Sequence, residues 1–158
     1  MDLKEIYSEY GNIYDYIKYE LLPDGKYNES IELMKHEGTP YDLDYNFLEI
    51  DIYYQFAHEE YENQRFETAL KYYLYVAERL PKWAKIYNEI GCTYDALEQT
   101  DKAIENLNKS IQLSDNTFAG AYYNLGYVYY KQGQNDEAKK YYDCACKLEP
   151  ESGFKYYK

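Results

Sequence analysis

The side chains best suited to chemistry are few in this sequence, and their spacing is wrong for it. His36 and His58 are its only histidines. Neither belongs to a Glu-x-x-His or His-x3-His spacing, so the helix-borne metal sites of zinc hydrolases have no ligands here. Cys144 and Cys146 stand two apart. On a helix they would diverge by about 200° and could not grip one ion from the same face. Carboxylates occur in runs such as Glu59-Glu60-x-Glu62, the pattern of a solvated helix face rather than a desolvated acid–base pair. There is no glycine-rich phosphate loop, Gly-x-Ser-x-Gly elbow or calcium loop. These features point away from catalysis, metal ions and cofactors.

Composition narrows the partner instead. The 158 residues fit one domain and carry 46% hydrophobic residues, enough for a buried core. Tyrosine occurs 25 times, and the formal net charge is −12. Residues 1–80 hold 18 acids and 7 bases, whereas residues 81–158 hold 11 and 10. Phosphate binding depends on Lys and Arg, so nucleic acid and anionic membrane are poor partners for this chain. The acidity serves solubility or attracts a basic partner. MDLKEIYSEY lacks the basic and apolar regions of a signal peptide, and no apolar run approaches the roughly 20 residues of a membrane span. Cys92, Cys144 and Cys146 lack the spacing of a disulfide framework. A cytoplasmic location is expected.

What positions these residues is a repeat. Tyr122-x2-Leu125-Gly126-x2-Tyr129 is followed by Ala138-x3-Tyr142 and Pro150. Thirty-five residues earlier stand Tyr87-x2-Ile90-Gly91-x2-Tyr94 and Ala103-x3-Leu107, with Asp115 in the proline slot. A further 34 back come Tyr53-x2-Phe56-Ala57, Ala69-x3-Tyr73 and Pro81, with Glu60 in the slot of Tyr94 and Tyr129. Each unit reads as two helices with apolar residues every three to four positions. Small residues on the first helix (Ala57, Gly91, Gly126) face small residues on the second (Ala69, Ala103, Ala138), and Tyr53, Tyr87 and Tyr122 fill the space between units. A mid-helix glycine costs about 1 kcal/mol against alanine, so Gly91 and Gly126 signal close backbone approach. Gly133 suits a helix C-terminus, and Pro81 and Pro150 stand where the second helices must stop.

These residues resemble the tetratricopeptide repeat family, with its W-x2-L-G-x2-Y…A-x3-F…P signature and 34-residue period. The resemblance covers three units, 50–83, 84–118 and 119–152. It implies an all-α, right-handed solenoid of antiparallel helix pairs. Residues 1–49, where Tyr14-x2-Ile17 precedes Ser30-x3-Met34, form a degenerate pair capping the first unit within the same domain. Eight helices are expected, over 2–22, 27–37, 42–62, 66–79, 84–98, 101–113, 119–132 and 135–147. Residues 153–158 begin another first helix and break off, either as a frayed stub or as part of a contact.

The resemblance also implies a function, binding a peptide or helical segment of another protein without catalysis. In this family the first helices line a concave groove. By slot, the groove residues here are Tyr16 and Tyr19, then Asp51, Tyr54, His58 and Tyr61, then Asn88 and Asp95, and finally Tyr123, Asn124, Tyr127 and Tyr130. Gln55, Lys85, Glu89 and Cys92 share that face. Tyrosines offer large contact area with few torsions to freeze. Their abundance has a second possible source in an AT-rich coding sequence, since Lys outnumbers Arg 15 to 2. Chaperone co-factor members grip a terminal carboxylate with Lys, Arg and Asn. The matching positions here are Tyr54, His58, Glu89, Gly120 and Asn124, which lack the cations. The expected partner is a basic and apolar protein segment. The alternatives are self-association through the C-terminal repeat and a non-catalytic regulatory subunit.

Overall fold

A computed structural model of the chain describes residues 45–151 and the isolated position Glu9. Six helices run through it: α1 Tyr45–Glu62, α2 Phe66–Arg79, α3 Ala84–Ala96, α4 Thr100–Leu113, α5 Ala119–Lys131 and α6 Asn135–Leu148. No strand occurs among the described residues. The helices expected over 2–22 and 27–37, and the segment 153–158, lie outside them. The chain divides into two compact units, Met1–Phe56 and Ala57–Lys158, with the boundary inside α1. In the first unit Ile50, Ile52 and Phe56 are buried, Asp51 is exposed, and the Tyr53 ring lies 6.4 Å from that of Phe56.

In the second unit α3 packs along α4 and α5 along α6, each pair being one repeat. Side-chain size at the crossings sets the spacing. A Cβ on Gly91 would lie 2.7 Å from Leu107 Cγ and 3.2 Å from the Ala103 carbonyl oxygen. A Cβ on Gly126 would lie 2.8 Å from the Tyr142 ring and 3.1 Å from the Ala138 carbonyl oxygen. Both glycine–alanine pairings expected from the sequence are therefore present. Second helices bury a single stripe, Ala69, Tyr73 and Val76 on α2, Ala103, Leu107 and Ser110 on α4, and Ala138, Tyr142 and Ala145 on α6. One core joins the last two repeats, with Leu107 and Ile111 of α4 against Leu125 and Val128 of α5. Tyr122, Tyr129 and Tyr141 pack around it, and the rings of Tyr129 and Tyr141 stack in parallel at 5.3 Å.

The turns repeat as faithfully as the helices. Between paired helices one residue turns left-handed, Gln64 (φ 59°), Glu98 (φ 58°) and Gly133 (φ 73°). The next residue's N–H then reaches back to a helix carbonyl: Arg65 to Glu60, Gln99 to Tyr94 and Gln134 to Tyr129, at 2.8–3.0 Å. This turn stops α3 at Ala96, two residues short of the expected end at 98. Glu60, the departure from the repeat pattern, serves the turn as well. Its carboxylate accepts two hydrogen bonds from the Arg65 guanidinium, both at 2.6 Å, and that partner holds its pKa below the usual value.

Between repeats the proline decides the ending. A proline forces the preceding residue out of the helical region, and Leu80 (φ −120°, ψ 64°) and Glu149 (φ −132°, ψ 78°) cap α2 and α6 accordingly. Where Asp115 replaces proline, the cap Ser114 stays near-helical, and Asp115 and Asn116 both turn left-handed instead. The connection is one residue longer, which accounts for the 35-residue period. Tyr87 and Tyr122 each donate a hydroxyl hydrogen bond back to the preceding loop, to the Pro81 carbonyl oxygen at 3.2 Å and to Asn116 Oδ1 at 3.3 Å.

Candidate functional site

First helices of successive repeats lie side by side, α3 against α5, and two polar bridges span them. Asn124 Nδ2 donates to Asn88 Oδ1 at 2.8 Å. About two turns further along both helices, Lys131 Nζ sits 2.5 Å from Asp95 Oδ1. Each bridge joins residues 36 apart, one repeat period plus one position. Asn88 is only 6% exposed and Asn124 is half-buried, so the amide pair forms the floor of this face.

Tyr61 at the end of α1, Glu89, Cys92 and Asp95 of α3, and Lys131 of α5 act on one another electrostatically. Burial, followed by the negative charges of Glu89 and Asp95, pushes the Cys92 thiol up to about 12. Burial also raises Tyr61 to about 12, with Cys92, Asp95 and Glu89 adding to it. Cys92 is thus a protonated packing residue at neutral pH rather than a nucleophile. Tyr127 joins the group through Lys131, whose ammonium lies 5.3 Å from the centre of its ring.

The residues named from the sequence sort as follows. Asn88, Asn124 and Asp95 belong to the bridges, and Tyr61 and Tyr127 flank them. Tyr130 is half-buried on α5 and His58 exposed on α1. Tyr123 leans on its own repeat, its ring 5.3 Å from that of Tyr142. Asp51 and Tyr54 fall in the other compact unit, and Tyr16 and Tyr19 lie outside the described residues. Sequence slots missed Lys131, because it stands one position past the last groove slot and only its long side chain reaches back. A search for complementary polar pairs at a 36-residue separation on first helices would have found it.

Among the described residues no group of three or more His, Cys, Asp or Glu side chains could hold a metal ion. No helix there is long and apolar enough to cross a membrane.

Comparison with known proteins agrees with this architecture. The family described as "Tetratricopeptide repeat" matches residues 119–152, and a second, "TPR repeat", matches residues 93–133. The Hsp70-Hsp90 organizing protein of Triticum aestivum is 27% identical over 94 residues, which are 60% of this chain but only 16% of that protein. Among solved structures, MamA is similar at a TM-score of 0.65 and 24% identity, over 93% of this chain and 84% of its own. The first TPR of Spaghetti (RPAP3), bound to the HSP90 peptide SRMEEVD, is similar at a TM-score of 0.61 and 18% identity, over 66% and 82%. The glycine–alanine crossings and these matches together identify tetratricopeptide repeats over residues 93–152 of the chain.

Proposed function

We propose that this chain is a non-catalytic protein-interaction module that holds a partner segment against the first-helix face of its last two repeats. The segment carries Lys or Arg alongside apolar residues. The carrying observation is the Asn88–Asn124 bridge, which aligns two first helices with Tyr61, Tyr127, Glu89 and Asp95 on the same side. Tyrosine and carboxylate together suit a cation on an apolar stem. Likeness to the Hsp70-Hsp90 organizing protein and to the first TPR of Spaghetti supports the interaction role, and the latter is bound to the HSP90 peptide SRMEEVD, which is acidic. The first-helix face here carries the negative charges of Glu89 and Asp95, and Asp95 holds an ammonium, that of Lys131, which favours a cationic partner segment.

Fluorescence anisotropy with short labelled peptides of alternating Lys and Leu, or Glu and Leu, tests this. The Lys peptide should bind, the Glu peptide should not, and Tyr127→Ala should cost about 1–3 kcal/mol through faster dissociation. Equal binding of both peptides, unaffected by Tyr127→Ala, would place the binding surface elsewhere.

A further inference from the structure

We propose that Lys131 is a built-in occupant of the seat that receives the partner's cation, so that binding proceeds by exchange of one ammonium for another. The inference rests on the groove reading above and adds the subsite and its resident. Three features of the second unit carry it. The Lys131 ammonium belongs to the end of α5 yet lies 2.5 Å from the carboxylate of Asp95 on the neighbouring repeat. It also stands 5.3 Å from the centre of the Tyr127 ring, so its charge meets both a carboxylate and an aromatic face. The two ends of the bridge differ in exposure: the Asp95 side chain is 14% exposed and that of Lys131 40%. The carboxylate is fixed in the face while the ammonium reaches it from solvent.

Desolvation gives the resident its purpose. A half-buried Asp95 beside Glu89 and Tyr61 would be costly to leave without a counter-charge. Lys131 supplies one when no partner is bound. It is also the member of the pair that can leave, because its long stem can swing into water at little cost. An arriving Lys or Arg replaces the same interaction instead of creating a new one. The exchange therefore lowers affinity and makes the seat selective. A neutral apolar segment cannot displace Lys131 without stranding Asp95, and an acidic segment meets Glu89 and Asp95 directly.

The test uses the whole chain and the alternating Lys–Leu peptide. Lys131→Met keeps the stem and removes the competitor, and should bind the peptide about three- to tenfold more tightly than the parent. Lys139→Met makes the same charge change at an exposed position on α6 and should match the parent. Combining Lys131→Met with Asp95→Asn should abolish the gain. A second readout needs no variant: adding the peptide to the parent should raise the acetylation rate of Lys131 while leaving that of Lys139 unchanged. If Lys131→Met and Lys139→Met tighten binding equally, general charge is the cause and the exchange is overturned. A parent that binds with Lys131→Met unchanged or weaker overturns the exchange and leaves the groove standing. Absence of binding by every form overturns both.

Discussion

Asn124 of α5 donates its side-chain amide to Asn88 of α3 at 2.8 Å, across one full repeat of sequence. Asp95 and Lys131 bridge the same two helices at the same 36-residue separation. First helices of neighbouring repeats are thereby held in one register, and a face that neither helix owns alone is defined.

Helix crossings give the first prediction. Gly126→Leu must displace the buried Tyr142 ring or the Ala138 carbonyl oxygen, and should destabilise the chain by about 1–3 kcal/mol or more. Gly120→Ala approaches only the half-buried Phe118 ring, at 3.1 Å, and should cost less. Thermal melts compare the two, and an unchanged midpoint for Gly126→Leu would contradict the crossing.

These crossings were legible in the sequence because close packing demands small residues at fixed spacing. Gly91 with Ala103 and Gly126 with Ala138 could be paired before any coordinates. The left-handed turns were legible only at Gly133, since glycine announces that conformation, whereas Gln64 and Glu98 adopt it under the geometry of the neighbouring helices. The site was half legible. Slot arithmetic named Asn88, Asp95 and Asn124, but not which side chains touch. It placed Tyr123 and Tyr127 alike, although Tyr123 leans on Tyr142. It also missed Lys131, whose part depends on side-chain reach rather than position.

Glu98 carries a second prediction. Its φ of 58° is adopted at a cost by a residue with a Cβ. Glu98→Gly should stabilise the chain by about 0.5–1 kcal/mol, and Gly133→Ala, at φ 73°, should destabilise it by about as much. Urea titrations showing the opposite signs would contradict the assigned turns.

Ser110 is buried in α4, and its hydroxyl has no hydrogen-bond partner among the described residues. Ser110→Ala removes that desolvated group and should leave stability unchanged or raise it by about 1 kcal/mol. A marked fall in the melting temperature would show that the hydroxyl is satisfied.

Alkaline pH provides a fourth. Folding raises the Cys92 thiol from 9.0 to about 12 and the Tyr61 hydroxyl from 10.0 to about 12. The folded chain keeps protons that the unfolded chain releases. Stability is therefore fully present below about pH 9 and is lost as pH rises through the folded values. Cys92→Ala should flatten part of that decline in urea titrations on either side of pH 10. An identical slope for parent and variant would remove Cys92 from the buried group.

The central claim, that the first-helix face of the last two repeats receives a cationic segment, is tested most directly by nuclear magnetic resonance. The alternating Lys–Leu peptide is titrated into the labelled chain while the side-chain amide signals of Asn88 and Asn124 and the ring signals of Tyr127 are followed. Saturable shifts at these three residues, weaker at higher salt and absent with the Glu–Leu peptide, are the predicted result. Saturable shifts confined to exposed positions of α4 and α6, with those three signals unmoved, would contradict it.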